Sequence, residues 1–460
     1  MSDDFIRPEM SDDDSYELDS SLIERVLAVV RLDDTLGLTA LLKPLHAADV
    51  ADLLEQIGAS SRRKLLALWG AGMDGDVLSE LDEGLREEVI HALEPATLAY
   101  AIRDLESDDV VDLLEDLEAP QRDAILQALG DRDRVAVQHS LNYPSESAGR
   151  LMQREVVAGP EHWTVGEAID YIRQDPELPE QFYHMILVDP MMRPVGYVTL
   201  GKLLGSARNV KLKALCEESF RTIPATQPEA DVAYAFNQYH LISAPVVDDS
   251  GRLVGVITID DAMIVLDEEH EEDIMRLAGA GDGSISDRLW ETAKQRFPWL
   301  AVNLCTAILA SRVIVQFEST ISQLVVLAAL MPIIASMGGN AGTQSLTVTV
   351  RALATKDLTS RNMWRVIRRE ALVGLVNGLL FAAALGAFGF FWYGSAALGA
   401  VLAVAIVINL FVAGFVGVGA PVILDKMGVD PALASGTFVM TVTDMVGFFA
   451  FLGLATLVLV

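Results

Sequence analysis

Histidine stops at His270, and the 190 residues that follow contain none. That stretch has no Ser–His pair and no imidazole ligand, which excludes serine-hydrolase and His-zinc chemistry from it. Cysteine is nearly missing as well. Cys216 and Cys305 are the only two, so no disulfide framework holds the fold and a reducing compartment fits. No G-x-x-x-x-G-K-[ST] run occurs, which argues against a P-loop ATP-driven pump. The opening MSDDFIRPEMSDDDSYELDS lacks the basic start and apolar core of a signal peptide and reads as a disordered acidic lead-in. Positive charge is scarce: 34 Lys and Arg stand against 65 Asp and Glu, a net charge of −31. Residues 297–460 carry eight basic and six acidic residues, so the surplus of −33 lies in the first 296. Such a surface repels nucleic acid and attracts cations.

What is present falls into three regions. From Leu22 to Leu141, segments such as LHAADVADLLEQI and LESDDVVDLLEDL repeat apolar residues at helical spacing behind acidic first turns, which suggests a small superhelical stack. From Val156 to Leu266 the chain contains a duplication: MILVDPMMRPVGYVTLGKLL recurs as APVVDDSGRLVGVITIDDAM. Each copy reads as strand, turn, strand and helix start, and follows a helical segment. The pair resembles tandem CBS modules, which sense a ligand or serve only to hold dimers together.

From Pro298 the chain reads as membrane. Apolar stretches of the ~20 residues needed to span a bilayer occur around 298–317, 322–350, 366–392, 396–424 and 432–460. Lys356, Arg361, Arg365, Arg368 and Arg369 cluster after the second, which places that loop, and with it the N-terminal portion, in the cytoplasm and the C-terminus outside.

Two features of this region are out of keeping with lipid. The second span contains MPIIASMGGNAGTQS, with Pro332, Gly338, Gly339, Asn340 and Gly342. The composition predicts an irregular, broken helix whose exposed backbone lines something wet; close packing through the glycines is the alternative. Asp444, in MTVTDMVGFF, is the only carboxylate well inside a span and is a functional candidate by default, unless Arg312 neutralises it in a buried ion pair. Asn340 lies eleven residues from Arg351 and Asp444 twelve from Ala432, so at 1.5 Å per residue both sit roughly 16–18 Å from the inner edge.

YPSESAGRLM, MPIIASMGGNAGTQSLTVTVRALAT, GVDPALASG and TVTDMVG occur in an order and spacing that resemble the MgtE family of magnesium channels and transporters. The resemblance covers all but about the first twenty residues and implies a multi-domain membrane protein that is not an enzyme. Its parts would be a disordered lead-in over 1–20, an all-α superhelical N domain over 21–141, an α/β tandem CBS pair over 142–266, a plug helix over 267–296 and a five-helix transmembrane domain over 297–460. It further implies a homodimer in the cytoplasmic membrane, passing hydrated Mg²⁺ between two copies of Asp444, with backbone oxygens near Asn340 and in a Gly436–Met440 turn completing the pore. Mg²⁺ releases water reluctantly and suits one or two carboxylates behind a water shell. Regulatory cations would bridge Asp76, Asp108, Asp112, Asp261, Glu269, Glu272 and Asp273, closing the pore when internal Mg²⁺ is high. Ile264 stands where relatives can carry another acid, so one such site is weakened or missing. Whether the CBS pair holds ATP stays open. So do two alternatives: a membrane-anchored cation sensor that does not conduct, and a transporter for Co²⁺ or another divalent ion.

Overall fold

In the computed structural model, which describes residues 18–279 and 289–460 apart from 94, 116, 118, 176, 177, 180, 218 and 219, the acidic residues ahead of the apolar runs act as helix caps. Asp34 accepts from the Gly37 amide at 3.0 Å and Asp82 from the Gly84 amide at 3.1 Å, each filling one of the orphan donors of a helix start. Short helices follow one another from Ser20–Arg31 to Asp131–Ser140, and Leu38, Leu53, Leu54, Leu78, Val89 and Leu114 join in one apolar core. Of the expected lead-in, residues 1–17 lie outside the described residues, as do 280–288 of the expected plug helix.

The duplication folds as two copies of one sheet. Strand β1 (Ala158–Pro160) runs parallel to β2 (His184–Val188), which pairs antiparallel with β3 (Pro194–Thr199). Strands β4 (Ile223–Pro224), β5 (Ser243–Val247) and β6 (Leu253–Thr258) repeat this order, and the register slips at the same place, between Leu187 and Val188 and between Val246 and Val247. The copies meet at equivalent residues. His184, first in β2, shares a 2.7 Å hydrogen bond with Ser243, first in β5.

The described chain forms two compact units, the first ending at Leu266 and the second starting at Asp267. One continuous helix, Ile259–Ala278, crosses that boundary, so the last helix of the second module and the start of the expected plug are a single element.

In the second unit, five helices are long and apolar enough to cross a membrane: Leu289–Val315, Val326–Ala354, Met363–Tyr393, Ala396–Lys426 and Pro431–Val458, here the first to fifth spans. The fourth is the most enclosed and packs on the third through glycines. A Cβ on Gly374 would lie 2.2 Å from the Leu410 carbonyl oxygen, so only hydrogen fits. Among the described residues the fold is thus mostly helical, with two small sheets and five membrane-length helices.

One sequence expectation is overturned here. MPIIASMGGNAGTQS is helical throughout and lies inside the unbroken second span. Where no water is available, each backbone amide is best satisfied within its own helix, and that outweighs the low helix propensity of glycine. Gly436–Met440 is likewise not a turn but part of the continuous fifth span.

Candidate functional site

The second and fifth spans run side by side in opposite directions. A Cβ on Gly342 would lie 2.5 Å from Val439 Cγ1, and one on Gly447 would lie 3.2 Å from Ile334 Cγ2. Asn340 and Asp444 both fall between these two contacts, so they share one stretch of the membrane-crossing layer. Gly338 and Gly342 are packing glycines, whereas Gly339 faces open space.

Each span turns a polar stripe outward. On the second, Pro332, Ser336, Asn340 and Gln344 recur every four residues and are exposed, with Thr343 and Thr347 beside them. On the fifth, Gly436, Met440 and Asp444 follow the same spacing, Met440 exposed and the other two half-buried, flanked by Thr437 and Thr441. The threonines are satisfied: Thr343 donates to the Gly339 carbonyl at 3.0 Å and Thr441 to that of Thr437 at 2.6 Å, one turn back, while Thr437 reaches Asn303 Oδ1 of the first span at 2.7 Å. The side chains of Asn340, Gln344 and Asp444 form no hydrogen bond with another described residue. Arg312 is exposed and forms no ion pair with Asp444, so the neutralising pair considered from the sequence is not formed. The backbone near Asn340 and over Gly436–Met440 is helical, so its carbonyls point along the axis toward amides one turn on.

Sequence reading missed Asn409. It is the one strongly polar side chain in the middle of the apolar fourth span, which is the signal that could have found it. Fully buried, it donates from Nδ2 to the Ile334 carbonyl at 2.8 Å, while its Oδ1 accepts from no described residue. The reverse amide orientation would set oxygen against oxygen. Gly338 leaves room for it on one side and Gly447 on the other, since a Cβ would come within 2.2 Å and 2.8 Å of Nδ2. Asn409 therefore wedges the two striped helices at the level of Asn340 and Asp444.

At one end of these spans the helix Ile259–Ala278 is held by charge. Asp430 caps the fifth span, accepting from the Ala432 amide at 2.8 Å, and its other oxygen takes Arg276 Nη1 at 2.9 Å. Arg276 also pairs with Glu272 one turn back on its own helix. Burial and the nearby Asp430 raise the Asp273 carboxyl above its ordinary range. Leu277 joins Leu346, Val350, Ala432 and Val439 in a small apolar cluster beneath this pair. Glu269 lies on the same helix and carries its own interaction.

In the first unit, acids from two helix starts meet. Helix Ser107–Glu115 brings Asp108 and Asp109, and helix Ile259–Ala278 brings Asp260 and Asp261. Burial pushes Glu106 up to about 7, helped by Glu155, and Asp109 up to about 7, helped by Asp261. Asp108, buried beside Asp261, stands well above the carboxylate range. Burial raises Asp261 to about 6 against the 2.6 Å hydrogen bond it accepts from Thr258. Asp76 is raised by burial and Asp74, and its charge also bears on Asp109. Asp108 and Asp261 are thus brought together, and Asp76 bears on the group through Asp109. Asp112 pairs with Arg86 at 2.7 Å, and its charge still bears on Asp109. Ile264 is exposed. Glu106 and Asp109 were missed, although both lie within two residues of Asp108. Among the described residues no three His, Cys, Asp or Glu side chains converge tightly enough to ligate one ion directly. Oxygen-only donors that repel one another fit a hydrated hard cation instead.

Family models match over most of this architecture: an MgtE intracellular N domain at 45–146, a CBS domain at 212–268 and MgtE, a divalent cation transporter, at 331–454. The chain is 31% identical over 332 residues to magnesium transporter MgtE of Bacillus subtilis, spanning 72% of this chain and 74% of that protein. It is 34% identical over 337 residues to magnesium transporter MgtE of Thermus thermophilus, again 72% and 74%. A solved cytosolic domain of the Mg²⁺ channel MgtE in complex with ATP matches at 27% identity and a TM-score of 0.49, over 53% of this chain and 99% of that one. Relatives this similar along about three quarters of their length place the chain in the MgtE family, a family of magnesium transporters and not of enzymes.

Proposed function

We propose that this protein carries Mg²⁺ inward across the cytoplasmic membrane as a homodimer, along a path lined by the polar stripes of the second and fifth spans, with Asp444 as its cation-selecting group. The observation that carries this reading is the trio Asn340, Gln344 and Asp444 on adjacent stripes, without a hydrogen-bond partner among the described residues. Hydrocarbon cannot satisfy such groups, and a charge at that depth is costly. Two copies facing each other would enclose a wet path with two carboxylates, which suits an ion that keeps its water. The N-terminal unit lies in the cytoplasm and the C-terminus outside.

Closure depends on the cytoplasmic acids. The raised acids around Asp108 and Asp261 repel one another once ionised, and internal Mg²⁺ relieves that repulsion and favours the closed arrangement. Arg276, Asp430 and the Leu277 cluster support the same reading, because they seat the end of the plug helix on the two striped spans. ATP at the CBS pair is a separate proposal, tested by equilibrium dialysis of ATP against the whole chain.

The test is flux. Purified protein in liposomes with an internal Mg²⁺-sensitive dye should admit external Mg²⁺ when internal Mg²⁺ is low and slow as it rises. No influx at low internal Mg²⁺ would favour a sensor that does not conduct. Faster influx of Co²⁺ would change the cargo.

A further inference from the structure

The outward face of the third span carries a different pattern from the polar stripes. Arg365, Arg368 and Arg369 stand near its start, and Leu372, Val373 and Val376 continue the same face at three- and four-residue spacing. Together they line an open groove of about 510 Å³. The three arginines are exposed and none forms an ion pair with a described residue. The only acid of this span, Glu370, turns away and accepts from Ser345 of the second span at 3.1 Å. Leu372, Val373 and Val376 are 51%, 44% and 55% exposed.

Charge followed by an apolar track matches one chemistry closely. A guanidinium presents a planar fork of donors that grips a phosphate with two parallel bonds. The nearby helix start adds partial positive charge. From Arg369 to Val376 the apolar track runs roughly 10 Å along the helix, about two thirds of the depth of one leaflet's hydrocarbon. A zwitterionic headgroup would leave the three charges uncompensated, whereas an anionic one matches them. We propose that this groove binds one anionic phospholipid, its phosphate among Arg365, Arg368 and Arg369 and an acyl chain along Leu372, Val373 and Val376.

The experiment is native mass spectrometry of the full chain in mild detergent, titrated with dioleoylphosphatidylglycerol or dioleoylphosphatidylcholine. Each guanidinium near an anionic headgroup is worth about fivefold in affinity, so the glycerol lipid should be preferred by about a hundredfold. R365Q/R368Q/R369Q should lose that preference while binding the choline lipid as before. If the triple variant does not fold, R368Q alone should lose about fivefold. Equal retention of the two lipids by the wild type would overturn the proposal, and so would a triple variant that keeps the preference. Displacement of the lipid by equimolar inorganic phosphate would assign the arginines to free phosphate and overturn it as well. A wild type that retains neither lipid, with a triple variant of altered oligomeric state, would give the face to a second copy of the chain.

Discussion

Adding one methyl group at Gly338 tests whether Asn409 wedges the striped helices. That Cβ would sit 2.2 Å from Asn409 Nδ2, 2.8 Å from its Cγ and 2.9 Å from its Oδ1. Asn409 cannot swing away, because it is fully buried and Gly447 closes the opposite side. Overpacking of this kind costs about 1–3 kcal/mol, and pushing Nδ2 off the Ile334 carbonyl forfeits about 1 kcal/mol more. Gly338→Ala should therefore destabilise the second unit by about 3 kcal/mol. Asn409→Ala loses the same hydrogen bond and opens a small space, but it also removes a buried acceptor without a described partner; a net loss of about 1 kcal/mol is expected. If the two side chains compete for one volume, the double variant should be no worse than Asn409→Ala, giving a coupling of about 3 kcal/mol. The measurement is reversible unfolding of the purified protein by denaturing detergent, with Mg²⁺ influx followed in parallel. Losses that add to within about 0.5 kcal/mol would refute the wedge.

Three further outcomes follow from the charged contacts. Arg276→Gln should loosen the plug from the fifth span; for a pair about a third exposed the loss is about 1 kcal/mol, so roughly fivefold more internal Mg²⁺ should be needed to close the pore. The raised carboxyls of Glu106 and Asp109 hold their protons longer when folded than when unfolded, so the stability they lend is full below the ordinary carboxylate range and is lost as pH rises to about 7. Thermal unfolding without divalent ions should accordingly fall between pH 4.5 and 7.5, and added Mg²⁺ should restore more at pH 7.5 than at pH 4.5. Glu106→Gln should raise the melting temperature in Mg²⁺-free buffer at pH 8 and leave it unchanged at pH 4.5, where Glu106 is already protonated; equal effects at both would contradict the repulsive cluster.

Much of the architecture was legible because its signals are periodic. Spans of about twenty apolar residues, a sheet repeated in register and acidic helix caps can each be read from a short window. The irregular helix expected around Gly338 was wrong for a definite reason: glycine weakens helices in water, where the backbone has another partner, and lipid offers none. Those glycines serve contact instead, Gly338 against Asn409 and Gly342 against Val439. The partners of charged residues were harder to read. Arg86 reaches Asp112 across 26 positions and Arg276 reaches Asp430 across 154, separations no local pattern encodes. Glu272 and Arg276, by contrast, stand at i and i+4, and that pairing was open to view. Asn409 also stood out as a lone polar group, but only the fold shows which helices it joins.

The central claim is that cations pass beside Asp444, and Mg²⁺ uptake by dye-loaded liposomes tests it directly when wild type and Asp444→Ala are compared at low internal Mg²⁺. The account predicts that wild-type vesicles fill and that the variant, with unchanged oligomeric state and melting temperature, does not. A variant that fills at the wild-type rate would contradict it and move the ion path away from the fifth span.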